Sequence, residues 1–474
     1  MYAMGNITEP DIELAAVRFV CELFSRNRHL SEGPVINEPE ASKLEAIAAE
    51  GIPAQGRALD DVVAEMTGDV IGYGYNADHA RFLGFVPGPT TAISWLGDIM
   101  AAGYNRHAGS FANYPAGCVA EHELLKWLCG KAGFPAETAG GLFVSGGSMA
   151  NLTAITAARD NKLAEDDWGR GVAYVSEQTH SSAAKGLKIA GIGPSRIRTI
   201  PCGPDMRMQV DALRSAIALD REAGLIPFLV IATAGTTNTG AVDSLREIAT
   251  VTHDENLWMH VDGAFGASVL LTRYANMLDG VQLADSLSWD AHKWLFQTYS
   301  CGMVLVRDEA TLRESFSTHP EYLRDLEETA GLTNPWDLGP ELTRHARGLK
   351  LWFTLQVMGA EGLAAAVEHG FQLARWAEDE ARKQPMAEII APAQMAMMSY
   401  RYAPAGMGEE ELDELNAEVS RRMLVSGYAG VFTTELDGKK VLRICAIHPE
   451  AKEHDIRGTV QKLGEICEEI LAEQ

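Results

Sequence analysis

The sequence predicts an α/β fold with a large, mainly parallel sheet and a smaller α+β domain at the C-terminal end. Between residues 140 and 306, short apolar runs alternate with helical patterns, as they do where crossover helices join parallel strands. Near the C-terminus, Asp437-Gly438 separates two runs of β-sheet composition, which is a strong hairpin signal. Because ligands bind beyond the carboxyl ends of parallel strands, functional residues are expected there.

The N-terminal region is predicted to be helical. Apolar residues recur at helical spacing over residues 11–30, and residues 44–66 show a second helical pattern that is interrupted near Gly51–Pro53. We expect residues 1–75 to form an arm that takes part in dimerisation.

The rest of the chain supplies the predicted strands. Five apolar runs of the large domain have this character: LFV (142–144), VAYVS (172–176), FLVIATA (228–234), LWMHVD (257–262) and CGMVLV (301–306). Residues 318–340 are predicted to form a loop, and an amphipathic helix is predicted to begin near Glu341 and to run past Trp352. The last part of the chain predicts helix, strand, turn, strand and helix. The large domain is therefore expected at 76–345 and the small domain at 346–474.

Composition argues against several classes of protein. The 474 residues include 40 Lys+Arg and 65 Asp+Glu, so the net charge is −25 and nucleic acid is not an expected partner. No apolar stretch approaches the ~18 residues needed to cross a bilayer. Met1–Pro10 lacks the features of a secretory signal, so we expect a cytoplasmic protein with no membrane partner. The seven cysteines form no CxxC pair or zinc-type cluster, and no metal site is expected.

Two polar motifs follow predicted strands in the first half of the large domain. Ser145-Gly146-Gly147-Ser148 lies between a strand and a helix, where backbone N–H groups and the helix dipole favour an anion. The alternative is an ordinary glycine turn with a serine cap. His180, after VAYVS, could stack on a flat ring or handle a proton, or it could simply cap the next helix.

Two further motifs follow later strands. Asp262 closes the apolar run LWMHVD, where a carboxylate is costly to bury unless a cation faces it. A protonated pyridine nitrogen is such a cation, and a loop aspartate that caps local N–H groups is the alternative. Lys293 precedes the apolar run Trp-Leu-Phe, and desolvation makes a lysine a Schiff-base nucleophile. The alternative is an exposed lysine in a polar turn.

The four motifs together match the requirements of pyridoxal 5′-phosphate. This cofactor needs an anchor for its phosphate, an amine for its aldehyde, a side chain to stack on its ring, and an acid that keeps its ring nitrogen protonated.

The chain resembles the group II pyridoxal-phosphate decarboxylases, which include the aromatic-L-amino-acid, glutamate and cysteine-sulfinate decarboxylases. The resemblance rests on SGGSMAN, QTHSS, TAGTTNTGAVD, HVDGAFG and DAHKW, and it extends from about His79 to Arg443. It implies fold type I, with a large seven-stranded, mainly parallel sheet covered by helices on both faces, a small C-terminal domain and a homodimer whose active site lies at the interface.

The resemblance also implies roles for individual residues. Lys293 matches the lysine that binds the cofactor aldehyde, Asp262 matches the partner of the ring nitrogen, and His180 matches the ring-stacking residue. The other residues that match the cofactor-binding set are Gly147, Ser148, Thr236, Ala264 and His292. Many family members have Asn-Pro before His-Lys, whereas Asp290-Ala291 stands here, so a contact from residue 290 to the phosphate does not carry over.

Tyr322 matches the tyrosine on the mobile catalytic loop of the family, which gives a proton to Cα after carbon dioxide leaves. Relatives that act as aldehyde synthases usually carry phenylalanine there. The resemblance therefore predicts a catalytic quartet of Lys293, His180, Asp262 and Tyr322.

The segment from Phe82 to Tyr114 matches the substrate-pocket region of the family. Phe85, Pro87, His107 and Phe111 are the expected pocket residues, and the aromatic side chains favour an aromatic L-amino acid. Arg106 and His107 leave an acidic substrate such as glutamate or aspartate open, and packing at a dimer interface is the structural alternative.

Two other activities and a non-catalytic role remain as alternatives. An aminotransferase would use a small-domain arginine such as Arg443 to clamp the α-carboxylate, and an aldehyde synthase would form an aldehyde in place of the amine. A non-catalytic scaffold is disfavoured because Lys293 and Asp262 are both present.

Overall fold

The computed structural model describes residues 8–28, 32–318 and 333–473. The chain divides into two compact units. The terminal unit comprises Met1–Pro87, Arg375–Ile390 and Ser399–Gln474, and the central unit comprises Gly88–Ala374 and Ala391–Met398. The division that the sequence suggested, with bounds at 75/76 and 345/346, stays a prediction.

The described residues form strands and helices throughout both units. The strands are β1 (Ile36–Asn37), β2 (Gly74–Tyr75), β3 (Gly140–Val144), β4 (Gly171–Ser176), β5 (Ile197–Ile200), β6 (Ile226–Thr233), β7 (Trp258–Asp262), β8 (Ser286–Asp290), β9 (Gly302–Val306), β10 (Ala387–Gln394), β11 (Met397–Tyr402), β12 (Phe432–Leu436) and β13 (Lys439–Cys445). The α-helices are α1 (Glu9–Arg28), α2 (Ala41–Glu50), α3 (Leu59–Glu65), α4 (Ala92–Tyr104), α5 (Pro115–Ala132), α6 (Gly147–Lys162), α7 (Ser181–Ile189), α8 (Val210–Glu222), α9 (Leu245–Asp254), α10 (Ala291–Trp294), α11 (Ala310–Phe316), α12 (Leu349–Ala381, with Gly359 non-helical), α13 (Glu409–Ser426) and α14 (Glu453–Glu473).

The central unit is built on the predicted parallel sheet. Its seven strands lie in the order β3-β9-β8-β7-β6-β4-β5. Strands β8, β7, β6, β4 and β5 are parallel to their neighbours in this series, and β9 is antiparallel to both β3 and β8. Six strands therefore point the same way, and their carboxyl ends meet at one edge of the sheet. The predicted α/β class and fold type I architecture are confirmed.

Small side chains let α6 lie close to this sheet. Ala150, Ala154 and Ala157 are fully buried on one side of the helix, in the same apolar cluster as β-strand residues such as Ala173. A methyl group at Gly186 of α7 would come within 2.9 Å of Ile155, so these two helices also pack tightly. Burial of a large side chain such as Ile155 contributes about 1.5–3 kcal/mol. The N-terminus of α6 is thereby fixed beside the ends of the strands.

The smaller sheet has the order β10-β11-β13-β12. Its β12–β13 hairpin is the one predicted at Asp437-Gly438, where both residues have positive φ angles of 50° and 71°. The helical patterns of the N-terminal region are also confirmed, with α2 and α3 on either side of the expected break. None of the helices in the described residues is long and apolar enough to cross a membrane.

One expected boundary is wrong. The helix predicted to begin near Glu341 begins at Leu349, and residues 341–348 are not helical. The reason is that Arg344 turns inward and is 3% exposed, with its guanidinium donating to Glu121, Ala108 and Phe143. Strands β5 and β8 were not predicted, because IRTI and SLSWD contain too few apolar residues to show as runs.

Candidate active site

A cavity of about 430 Å³ lies at the carboxyl ends of the parallel strands of the central unit. Its volume falls within the range of roughly 300–1,000 Å³ that is usual for small-molecule sites. Segments that follow β3, β4, β6, β7 and β8 all contribute to it. The lining residues are Ser145, Gly146, Gly147, Ser148, Met149, His180, Ser182, Thr233, Gly235, Thr237, Asp262, Ala264, Phe265, Asp290, His292, Lys293 and Tyr299.

The glycine turn after β3 is shaped by crowding. A methyl group at Gly146 would lie 2.9 Å from the imidazole of His292, and one at Gly147 would lie 2.8 Å from Asp290 Oδ2 and 3.0 Å from Ala264 Cβ. Helix α6 starts at Gly147, so its first backbone N–H groups, which have no partner within the helix, are at the cavity. A turn of this kind is a ready anion site.

Asp262, at the end of β7, is buried in the cavity wall and is held on both oxygens. Its Oδ2 accepts a hydrogen bond from Asn151 at 2.9 Å, and its Oδ1 accepts from the backbone N–H of Ala264 at 3.1 Å and from Ser288 at 3.2 Å. Burial by itself raises the pKa of Asp262, but the positive charge of Lys293 and these hydrogen bonds outweigh it and lower the pKa below its usual value. The group is therefore a fixed anion.

A buried chain of hydrogen bonds lies behind this carboxylate. Asn151 Oδ1 is 3.0 Å from His260 Nε2, and His260 Nδ1 is 2.8 Å from Ser286 Oγ, to which the indole N–H of Trp258 donates at 2.8 Å. An indole can only donate a hydrogen bond and a carboxylate can only accept one. Every group is therefore satisfied when each hydrogen bond is donated in the direction from Trp258 towards Asp262, which requires a neutral His260 with its proton on Nε2. Burial lowers the pKa of His260 to about 4, which keeps it neutral.

Lys293 lies on the short helix α10, directly after β8. Its Nζ is 3.2 Å from Asp290 Oδ2, and its side chain is 26% exposed. The next residue, Trp294, is fully buried and stacks on Phe265 with ring centroids 4.7 Å apart. This stacking anchors the helix, so the apolar run after Lys293 holds the amine at the cavity wall.

His180 and His292 both line the cavity. His180 caps α7, because its Nδ1 accepts from the N–H of Ser182 at 3.2 Å, so the capping alternative and the cavity position are both realised. The Nδ1 of His292 lies 3.0 Å from the carbonyl of Cys301, and burial lowers the pKa of His292 despite the nearby charge of Asp290. The imidazole of His292 is consequently neutral.

Three other predicted site residues of the central unit do not line the cavity. Thr236 is buried with its hydroxyl 2.9 Å from that of Thr239, and the lining at that turn comes from Thr233, Gly235 and Thr237 instead. His107 and Phe111 belong to the central unit but not to the cavity lining.

Two predicted substrate-pocket residues belong to the terminal unit. Phe85 packs on Phe432 with ring centroids 4.6 Å apart, and Pro87 is buried. The guanidinium of Arg443 donates a hydrogen bond to the backbone carbonyl of Phe85. Tyr322 lies outside the described residues.

The sequence did not point to three residues at the candidate site: Asn151, Ser182 and Tyr299. A signal for Asn151 was available, because it lies four residues after Gly147 in SGGSMAN and so one helical turn further along the same face. Tyr299 could not have been found, since it reaches the cavity from a loop between α10 and β9 with no distinguishing pattern.

The lining residues fit pyridoxal 5′-phosphate. The glycine turn offers the space and the N–H donors for a phosphate, the fixed anion of Asp262 suits a pyridinium, and the half-buried amine of Lys293 suits an aldehyde. Moreover, the hydroxyl of Thr233 and the Oδ1 of Asp290 are buried without a hydrogen-bond partner, as expected where a polar ligand completes the site.

Comparison with known proteins decides the family. Residues 42–403 match the pyridoxal-dependent decarboxylase conserved domain. The chain belongs to the pyridoxal-dependent decarboxylase family. The enzyme is 37% identical over 445 residues to an aromatic-L-amino-acid decarboxylase of Bacillus atrophaeus, covering 93% of this chain and 92% of that relative.

Two further relatives extend this picture. The enzyme is 30% identical to an L-2,4-diaminobutyrate decarboxylase of Acinetobacter baumannii, covering 83% of this chain and 80% of that protein. Its fold matches the crystal structure of Oryza sativa TDC with PLP and tryptamine at a TM-score of 0.93 and 28% identity, over 98% of this chain and 99% of that one. The enzyme is therefore a pyridoxal-phosphate-dependent carboxy-lyase that acts on an amino acid.

Proposed function

We propose that this decarboxylase converts an aromatic L-amino acid into carbon dioxide and the corresponding primary amine. The observation that carries the proposal is the composition of the cavity wall. Among the described residues that line it, Lys293 is the only lysine or arginine, and Phe265 and Tyr299 add aromatic surface. A substrate with an acidic side chain is expected to bind to an arginine, because a guanidinium binds a carboxylate through two hydrogen bonds. The relative from Bacillus atrophaeus supports the same substrate class.

Three residues hold the ring of the cofactor in this proposal. Lys293 supplies the amine that binds the aldehyde. Asp262 keeps the proton on the ring nitrogen, because the charge of Lys293 and the hydrogen bond from Asn151 hold its carboxylate as an anion. His180 stacks on the ring from the start of α7. When bound, pyridoxal 5′-phosphate supplies an electron sink for the pair left on Cα as carbon dioxide departs.

The phosphate is held at the glycine turn. Gly147 and Ser148 offer their backbone N–H groups at the start of α6, and His292 offers a neutral imidazole beside Gly146. Ala264 supplies a small side chain beside Gly147, which leaves room for the ring. Thr236 contributes through the shape of its turn, with its hydroxyl bonded within that turn.

A proton must reach Cα after carbon dioxide has left. We assign this step to the hydroxyl of Tyr322 together with His180, which lines the cavity. The substrate-pocket residues expected from the resemblance, Phe85, Pro87, His107 and Phe111, stay a prediction.

The proposal includes a homodimer. The central unit exposes large apolar side chains on α4 and α12, and a mainly apolar cavity of about 420 Å³ lies between these helices and α5. The exposed side chains are Leu96, Ile99, Met100, Tyr104, Trp352 and Val357. A patch of this kind is typical of a protein interface. We assign it to a second copy of this chain, with residues 1–75 as an additional contact.

The dimer is tested by sedimentation of the wild type and of a Tyr104→Glu variant. Tyr104 is 73% exposed, so the substitution should not disturb the fold. We expect a dimer for the wild type and a shift towards monomer for the variant. A monomeric wild type at micromolar concentration would overturn the assignment.

A product screen tests the activity. The purified enzyme, loaded with cofactor, is incubated with each natural L-amino acid and with L-2,4-diaminobutyrate, and carbon dioxide, amine, aldehyde and hydrogen peroxide are measured. We expect the highest rate with an aromatic substrate and an amine as product. Highest activity with glutamate or aspartate would refute the substrate class, and aldehyde with hydrogen peroxide would identify an aldehyde synthase.

Three variants test the assigned residues. Lys293→Ala should lose activity and the visible absorbance of the bound cofactor, and Tyr322→Phe should lose amine formation while it keeps that absorbance. Lys188→Ala is the matched control, because Lys188 is an exposed lysine on α7 outside the cavity. Amine formation by Lys293→Ala at the wild-type rate would overturn the mechanism.

A further inference from the structure

Asp290 is a carboxylate in an unexpected place. It ends β8, is 2% exposed, and faces the glycine turn at which the phosphate is proposed to bind. A methyl group at Gly147 would lie 2.8 Å from its Oδ2, and one at Gly302 would lie 2.5 Å from its Oδ1. The carboxylate therefore lies against the turn itself, where a negative charge opposes a phosphate.

The two oxygens of Asp290 differ in their partners. Oδ2 lies 3.2 Å from Lys293 Nζ and 3.7 Å from His292 Nε2. Oδ1 is buried and has no hydrogen-bond partner. A buried carboxylate oxygen without a partner is costly, and such an oxygen at a ligand site is expected to bind the ligand or a proton.

Without the cofactor, one positive charge balances the carboxylate of Asp290. The titratable groups that face it are Lys293 and His292 on α10 and the thiol of Cys301 before β9. Burial lowers the pKa of His292 and raises the pKa of Cys301 to about 12, so both are neutral and Lys293 is the cation. Lys350, which pairs with Asp98 at 3.1 Å, acts on His292 from farther away.

Binding of the cofactor disturbs this balance. A phosphate monoester brings close to two negative charges to the turn, and the amine of Lys293 is engaged by the aldehyde. Two anions in contact inside a protein do not both stay charged, and the usual result is that they share a proton. An asparagine at this position, as in many relatives by resemblance, avoids the conflict because it is uncharged.

We propose that Asp290 is a proton-linked anchor for the phosphate: it takes up one proton from solvent as the phosphate enters and then donates that proton from its carboxyl group to a phosphate oxygen. One O–H bond forms on Asp290, the proton comes from water or buffer, and no covalent bond of the cofactor changes. The inference rests on the proposed phosphate position at Gly147. It makes the affinity for the phosphate fall as pH rises.

The test measures cofactor affinity against pH for the wild type and Asp290→Asn, by titration of the cofactor-free proteins and detection of the visible band. A coupled proton steepens the dependence of log Kd on pH by up to one, which is about tenfold in Kd per pH unit. We expect the wild type to show this extra slope and Asp290→Asn to lack it. Equal slopes would overturn the proposal.

Two controls separate this inference from other effects. Pyridoxal has the aldehyde but no phosphate, so the dependence of its log Kd on pH should have the same slope in both proteins. A difference in slope that persists with pyridoxal would mean that Asp290 acts through the amine of Lys293 and not through the phosphate. Asp98→Asn removes a negative charge from another Asp–Lys pair of the central unit, outside the cavity lining, and should keep the wild-type slope.

A measurement on the wild type alone guards against a variant that fails to fold. Calorimetric titration with pyridoxal 5′-phosphate in two buffers of different ionisation enthalpy counts the protons taken up. We expect greater uptake with pyridoxal 5′-phosphate than with pyridoxal, after correction for the free phosphate. No difference would refute the inference, whereas a wild type that shows no visible band with pyridoxal 5′-phosphate would refute the proposed function.

Discussion

The hydrogen-bond chain behind Asp262 makes a strong prediction about stability. Asn151 is fully buried and sits at the junction of this chain. Its amide N–H₂ donates to Asp262 at 2.9 Å and to Ser182 at 3.0 Å, and its oxygen accepts from His260 at 3.0 Å. The substitution Asn151→Ala removes all three bonds and leaves buried groups unsatisfied at each end.

The size of the effect follows from the partners. A hydrogen bond between neutral groups contributes about 1 kcal/mol net, and one to a charged group contributes about 1.5–3 kcal/mol. The bonds of Asn151 to Ser182 and His260 join neutral groups, and its bond to Asp262 involves a charged group. We therefore expect Asn151→Ala to lower the free energy of unfolding of the central unit by about 3–5 kcal/mol.

Urea unfolding of the cofactor-free protein, combined with hydrogen exchange of the peptide that covers α6, measures this loss. Asn161→Ala is the matched control, because Asn161 is exposed on the same helix and its amide bonds the carbonyl of Ala157. The control should change the free energy by less than about 0.5 kcal/mol. If Asn151→Ala were no more destabilising than this control, the hydrogen bonds of Asn151 would not stabilise the central unit as inferred.

Three further results are expected. First, Arg344→Met should destabilise the protein by about 3–5 kcal/mol, because it leaves the buried charge of Glu121 unpaired; thermal unfolding checks this, and adding Glu121→Leu should restore part of the loss. Second, Gly147→Ala should weaken cofactor binding at least tenfold, since its methyl group would lie 2.8 Å from Asp290 Oδ2, whereas Gly130→Ala, which meets no atom within 4 Å, should bind normally; cofactor titration distinguishes them. Third, His260 has its pKa lowered from 6.5 to about 4 by burial, so the unfolded chain binds its proton more readily. Stability should be complete above pH 6.5 and fall by about 3 kcal/mol as pH drops to 4; His260→Gln should show a smaller loss in urea titrations over this window.

The site was predictable where its residues follow strands directly. Lys293 was found from the apolar run that follows it, because β8 was not predicted. Asp262 ends the predicted strand β7, so its place at the carboxyl edge follows from the parallel sheet alone. His180 and Gly147 were found in the same way. Tyr299 was not found, because an irregular loop carries no local sign of the cavity that it lines. Asn151 was missed although its helical spacing from Gly147 was available in the sequence.

Two further details were not predictable from the sequence, the direction of Thr236 and the start of α12. Thr236 follows β6 as expected, yet its hydroxyl turns to Thr239 and its neighbours line the cavity. The direction of a side chain in a turn depends on backbone angles that the sequence does not state. The late start of α12 has a similar origin, since Arg344 leaves the helical pattern to reach Glu121, 223 residues earlier.

Local sequence by itself determined the class of fold, the edge of the sheet at which chemistry takes place, and the residues suited to a phosphate, an aldehyde and a pyridinium. These properties follow from the alternation of strands and helices and from side-chain chemistry, which act over a few residues. Tertiary structure decided which groups stabilise the two buried carboxylates: Asn151 donates a hydrogen bond to Asp262, and Lys293 forms an ion pair with Asp290. Charge balance in a buried site depends on distances of a few ångströms between separate segments, and only the folded chain sets those distances.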